Sequence, residues 1–240
     1  LQTDHTSYIF NILDNGELGH LYYGKKIHAK DSYPNLSRYE KRGFEPYWKM
    51  DNPEFQPSII KQEYSSYGKG DFRHPAYQVR QENGSRITEL CFYDFKIKKG
   101  KVRLAGLPST FSSDDDVETL SITLKDDLIG LEVILNYSVF PHQDVIVRNT
   151  KFVNNGNENL TLLKAFSAQL DLPDSNYDFI HFSGAWLRER QLKRTKLRSG
   201  IQSIDSLRVS SSPQQNPFFM LARTETNEMQ GEVIGFNFIY

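Results

Sequence analysis

One cysteine, Cys91, stands in 240 residues, so the chain can form no internal disulfide. That lack suits a reducing compartment, and a cytoplasmic location is expected. Cys91 lies in Leu90-Cys91-Phe92-Tyr93, a strand-like run in which a thiol packs as a small hydrophobe. Net charge is missing too: 29 Lys and Arg face 30 Asp and Glu, leaving −1. A balanced chain has no bulk field for nucleic acid or a membrane surface, so neither is expected as a partner. No apolar run approaches the ~20 residues that span a membrane, and no basic-then-apolar leader opens the sequence, so a soluble chain is expected. Hydrophobic residues reach only 38%, which is low for a chain of this size.

Several kinds of chemistry lack their motifs. The six histidines, at positions 5, 20, 28, 74, 142 and 181, form no His-x-x-x-His or His-Glu-x-x-His pair, which leaves zinc without support. Ser210-Ser211-Ser212 has no Gly-x-Ser-x-Gly frame around it, and no Gly-rich phosphate loop is present. Asp114-Asp115-Asp116 lacks the spacing and closing Glu of an EF-hand. No metal and no cofactor is expected.

What the sequence does hold is aromatic area and strand periodicity. Phe, Tyr and Trp make up 13% of the residues, and large rings cover much surface per residue. Ser7 to Leu13, the turn Asp14-Asn15-Gly16 and Leu18 to Tyr23 read as a hairpin. Asn83-Gly84, between Ala76–Glu82 and Arg86–Lys98, reads as a second. Leu120, Ile122 and Leu124 alternate with polar neighbours, as do Leu131, Val133, Leu135, Tyr137 and Val139. Val145 to Phe152, Leu160 to Leu170, Ile180 to Phe182 and Ile234 to Tyr240 continue the style. No stretch keeps a 3.6-residue period over three turns, so the reading is an all-β, large antiparallel sandwich with little helix.

Two stretches resist strands. Lys30 to Pro57 interleaves Pro34, Pro46, Pro53 and Pro57 with Tyr33, Tyr39, Phe44, Tyr47, Trp48 and Phe55. A loop of that length inside a compact domain tends to be functional or disordered, and its rings argue against disorder. Ser109 to Val117 is a shorter polar excursion. Arg188, Arg190, Lys193, Arg194, Lys196 and Arg198 form a basic run that reads either as a polyanion patch or as cations paired within the fold. In Gly70-Asp71-Phe72-Arg73, Asp71 and Arg73 are candidates either to act on a sugar hydroxyl or to clamp a turn to a sheet edge.

A series of motifs carries more than any single spacing. Gly68-Lys-Gly-Asp-Phe-Arg-His-Pro-Ala-Tyr77, Gly106-Leu-Pro-Ser-Thr-Phe111, Glu118-Thr-Leu120, Gly130-Leu-Glu-Val133 and Leu170-Asp-Leu-Pro173 come in order. Tyr177-Asp178, Gly184-Ala-Trp-Leu-Arg-Glu-Arg190, Ser211-Ser212, Asn216-Pro-Phe218 and Gly231-Glu-Val-Ile-Gly-Phe236 follow. Together they cover nearly the whole chain, which resembles the N-terminal domain of bacterial α-galactosidases of glycoside hydrolase family 36. Pro213 stands where that family usually has His, and Val209 where it has Gly; neither change removes an acid or a nucleophile.

The resemblance implies a two-sheet β-supersandwich related to the galactose mutarotase-like fold, spanning residues 1–240 and slightly truncated at its C-terminal edge. A catalytic (β/α)8 barrel and a C-terminal β domain are expected outside this chain. In the family two barrel aspartates act with retention on terminal α-1,6-galactose of melibiose- and raffinose-type sugars, so no catalytic residue is expected here. The implied partners are α-galactosides through the full-length enzyme, the enzyme's own barrel and further copies in a tetramer. The Lys30–Pro57 loop is the candidate for the active-site mouth or a subunit contact, with Arg38, Trp48 and Phe55 named alongside Asp71 and Arg73. Trp186, Arg188 and Arg190 are candidates for an interface, with the barrel or with another subunit.

Two readings of other classes stay open. A free-standing carbohydrate-binding module would use the same sandwich without hydrolysis. An aldose epimerase would need His74 or His181 to converge with Glu63, Glu89 or Glu132 as an acid and base pair.

Overall fold

The computed structural model describes residues 1–44, 48–112, 116–208 and 214–239. Pro46 and Tyr47 of the aromatic loop, Asp114 and Asp115 of the acidic triplet, Val209, Ser210–Pro213 and Tyr240 lie outside them. Among the described residues the regular structure is all strand except for two single 3-10 turns, Pro34–Leu36 and Pro141–Gln143. It forms two compact units, one of residues 1–103 with 110–172 and one of residues 104–109 with 173–240.

The first unit holds β1 (Thr6–Ile12), β2 (Leu18–Lys25), β3 (Tyr77–Arg80), β4 (Cys91–Lys99), β5 (Glu118–Asp126), β6 (Leu131–Phe140), β7 (Val145–Asn154) and β8 (Thr161–Ala165). All its ladders are antiparallel: β1 with β2, β3 with β8, and the sheet β4-β5-β6-β7. The alternation in β5 and β6 decides which face is buried. Leu120 lies opposite Tyr137, Ile122 opposite Leu135 and Leu124 opposite Val133, so one face gathers the apolar side chains. Ile122, Leu124, Val133, Leu135 and Tyr137 are buried with Tyr8, Leu18, Tyr64, Tyr77 and Leu90 in one continuous core.

The β1–β2 turn closes as its sequence indicates. Gly16 has φ +83°, a backbone that favours glycine, and a Cβ there would crowd Cys91 Sγ at 3.1 Å. Asn83-Gly84 behaves differently from the hairpin reading. Gln81 N donates to Ser85 O, and Ser85 N donates to the Asn83 side chain, but the pairing ends there. Thr88 is diverted to the Tyr77 hydroxyl and Glu89 N to Asp126, so β3 pairs with β8 and β4 with β5.

Strand β4 is an edge. Phe95 lies opposite Ile122 and Ile97 opposite Leu120, in phase with the core, yet they are 55% and 62% exposed. Lys96, Lys98 and Lys99 accompany them, the usual device against edge-to-edge pairing.

The second unit contains β9 (Asp178–Ala185), β10 (Arg188–Lys196), β11 (Gln215–Ala222) and β12 (Val233–Asn237) in the antiparallel order β10-β9-β11-β12. Phe179, Phe219 and Phe236 form a ring ladder across it, with centroids 5.4 Å and 4.6 Å apart. All of β10 is exposed. Of the cations in the basic run, Arg194 is the one with an ion pair among the described residues: its Nε donates to Asp178 Oδ2 at 2.7 Å, and its Nη groups donate to the carbonyls of Arg223, Thr224 and Thr226.

Candidate functional site

Beyond β2 the chain leaves the ladder and rejoins it only at Gln62, which bridges Gly19; Glu63 N then donates to Leu18 O. The intervening loop contains the aromatic stretch. Its four prolines remove donors and disfavour strand pairing, while Leu13, Phe55 and Ile60 form a small core of its own. Phe55 is fully buried, so its ring packs the loop and offers no face to a sugar. Trp48 and Tyr39 lie against it, with centroids at 5.1 Å and 6.0 Å. Trp48 stays partly accessible, with the Lys49 ammonium 4.3 Å from its ring centroid. Arg38 is exposed at the rim, its Nε donating to Glu40 Oε2 at 2.9 Å. That bond draws the Glu40 carboxyl below its ordinary pKa.

The foot of the loop is held by the Gly70-Asp71-Phe72-Arg73 turn. Arg73 Nη2 donates to Pro57 O at 2.8 Å and to Ile60 O at 2.6 Å. Its Nη1 pairs with the Asp171 carboxylate, and its Nε stands 2.6 Å from Asp71 Oδ2. Asp171 Oδ2 also accepts Gln62 N at 2.8 Å. Asp71 and Arg73 are therefore engaged with the backbone and with each other. Phe72 between them points out, 77% exposed.

Trp186 and Leu187 occupy the tip of the β9–β10 hairpin, 77% and 76% exposed. Arg188 and Arg190 flank them, also exposed. Gly184 sits where its own Cβ would stand 2.2 Å from Arg188 O, so the hairpin closes only over glycine.

Sequence reasoning missed the most enclosed ionic site. Glu63 is fully buried and accepts the Tyr8 hydroxyl at 2.7 Å, the Tyr137 hydroxyl at 2.8 Å and His20 Nδ1 at 3.0 Å. Arg148 Nη1 lies 2.9 Å from its Oε1. Burial by itself pushes the Glu63 carboxyl up, but Arg148 first, then His20 and Tyr8, outweigh it and the net direction is down. Burial pushes the Tyr8 and Tyr137 hydroxyls well up. The hub is a structural knot, with every carboxylate oxygen taken. The epimerase reading finds its Glu63 joined to His20, while His74 meets Lys164 Nζ and Phe166, and His181 meets Gln215. A signal was available for Arg148, which falls in the inward phase of β7 with Ile146 and Phe152.

Residues 16–240 match the family model described as the glycosyl hydrolase family 36 N-terminal domain. The chain belongs to that family. An alpha-galactosidase AgaA of Geobacillus stearothermophilus is 43% identical over 244 residues, taking in 100% of this chain and 33% of its own length. The crystal structure of the alpha-galactosidase from Lactobacillus brevis superimposes with a TM-score of 0.95 at 58% identity, covering 99% of this chain and 32% of that one. A variant of the Geobacillus enzyme solved with raffinose superimposes at 0.93 with 43% identity. This family 36 domain therefore spans about a quarter to a third of the length of the curated relatives it matches. Its antiparallel all-β build agrees with theirs.

Proposed function

We propose that this family 36 domain is the non-catalytic N-terminal part of an α-galactosidase that hydrolyses terminal α-1,6-galactosyl residues of melibiose- and raffinose-type sugars with retention. Its role is to help assemble a cytoplasmic tetramer and to shape the mouth of the active site, while the catalytic aspartates lie on the barrel. The observation that carries the mouth role is the build of the Lys30–Pro57 loop. Its base is anchored by buried Phe55, and its exposed parts include part of an indole, Trp48, and a guanidinium, Arg38, paired with Glu40. A flat apolar ring suits the C–H face of a sugar, and a guanidinium suits its hydroxyls. The exposed Trp186-Leu187 tip, with Arg188 and Arg190 on either side, has the composition of an interface anchor.

The test is Trp48→Ala and Arg38→Ala in the full-length enzyme. Loss of a ring contact worth about 1 kcal/mol raises KM for raffinose about fivefold. Trp48 is only partly buried, so melting should shift less than binding. Unchanged kinetics together with an unchanged tetramer in both variants would remove the loop from the site.

A further inference from the structure

We infer that Arg73 is a positioning residue for the Trp48 loop, resting on the reading that this loop borders the galactoside site. From Lys26 to Lys61 the described chain has no strand and one 3-10 turn, so beyond its small Leu13-Phe55-Ile60 core its geometry depends on how its ends are held. The upstream end continues from β2. At the downstream end Arg73 holds two carbonyls, those of Pro57 and Ile60, and Asp171 holds Gln62 N.

Its guanidinium reaches the carbonyls of Pro57 and Ile60 with Nη2, the Asp171 carboxylate with Nη1 and Asp71 Oδ2 with Nε. Asp171 in turn receives Gln62 N at 2.8 Å and the Gln169 side-chain amide at 2.9 Å. A planar fork holds these directions at once; an ammonium on a flexible stem cannot. Two residues upstream of Pro57 is Phe55, and Ile60 belongs to the same small core on which Trp48 packs at 5.1 Å. The chain of contact is short: Arg73 sets the foot, the foot sets Phe55 and Ile60, and these set the indole. Arg73 has a side chain only 20% accessible, with both Nη groups bonded and Nε in an ion pair with Asp71, so it acts through Trp48. Displacement of a binding group by about 1 Å is enough to cost up to ~100-fold in rate or affinity.

The experiment uses the full-length enzyme with raffinose as substrate and trypsin as a probe of the loop at Lys41 and Lys49, both exposed. Arg73→Lys keeps the charge and removes the fork. It should raise KM about three- to tenfold while kcat stays within about twofold, and it should speed cleavage at the two lysines. In the double variant Arg73→Lys/Trp48→Ala the two KM effects should not multiply, because one acts through the other. Unchanged KM in Arg73→Lys while Trp48→Ala raises it overturns the inference, and so does a double variant in which the effects multiply. Unchanged KM in Trp48→Ala with faster cleavage in Arg73→Lys sinks the galactoside reading and leaves the anchoring intact. Should Arg73→Lys not fold, Asp171→Asn, which keeps an acceptor for Gln62 N and weakens the Nη1 pair, is read by the same outcomes.

Discussion

Arg148→Met keeps the apolar stem of the side chain and deletes its guanidinium. The deletion removes the Nη1 contact to Glu63 at 2.9 Å, the donations to Tyr8 at 3.0 Å and Gln169 O at 2.9 Å, and the Nη2 donation to Tyr137 at 3.1 Å. The two tyrosine hydroxyls keep Glu63 as an acceptor; Glu63 keeps its charge but loses its cation. Breaking a buried pair from one side costs about 3–5 kcal/mol, against a total of about 5–15 kcal/mol for a domain. At about 2–4 °C per kcal/mol for a unit of this size, the melting temperature should fall by about 6–20 °C.

The pH dependence gives a second reading of the same variant. In the wild type the lowered Glu63 pKa contributes stability that is present above the ordinary carboxyl value and is lost as pH falls through the lowered one. Without Arg148, burial prevails and the folded carboxyl rises, so the variant regains stability as pH falls towards that raised value. Arg148→Met should therefore lag the wild type less at pH 5 than at pH 8. The double variant Glu63→Gln/Arg148→Met, which has no stranded charge, should recover part of the loss. Urea unfolding of the chain at both pH values measures all of this. A loss under about 1 kcal/mol, or a double variant no better than the single, would refute the reasoning.

Two further outcomes follow from local geometry. His142 Nδ1 lies 2.8 Å from Asp4 Oδ2, and the bond to Asp4 raises its pKa. The pair therefore contributes fully below about pH 6.5, the ordinary histidine value, and fades as pH rises through the raised one. Amide exchange over Thr3–Ser7 should quicken between pH 5.5 and 8.5, after correction for the intrinsic rate, and Asp4→Asn should abolish the change; equal protection at both pH values counts against it. Gly184→Ala places a Cβ 2.2 Å from Arg188 O and 3.0 Å from Glu189 Cα, so the β9–β10 hairpin must shift. A loss of about 1–3 kcal/mol is expected, read as faster exchange across β9 and β10, and unaltered exchange would show that the turn absorbs the methyl group.

The strands that could be read from sequence are those with one buried face. In β5 and β6 the inward residues are apolar or aromatic over most of the strand, and the register follows from that alternation; in β7 only Ile146 and Phe152 of the inward set are. Asn83-Gly84 misled because a local turn signal says nothing about which strand supplies the ladder; Thr88 and Glu89 are drawn to tertiary partners instead. The aromatic loop was legible as a loop with a job, but periodicity could not separate buried Phe55 from partly open Trp48. The Glu63 hub was illegible for another reason. Tyr8, His20, Glu63, Tyr137 and Arg148 come from four strands and a connecting segment, and only the fold brings them together.

The separation of those residues along the chain has a consequence for the order of folding. Tyr8 meets a cation 140 residues away, and Glu63 lies 148 − 63 = 85 residues before Arg148. At a synthesis rate of about 5–20 residues per second, Glu63 exists for roughly 4–17 s before its counter-ion is made. Through that interval its carboxylate has Tyr8 and His20 but no cation beside it, and burying a charge so incompletely paired is costly. The core can dry only once β7 arrives, which couples the closing of the first unit to the completion of its strand set and places that unit among the slow, non-local folders.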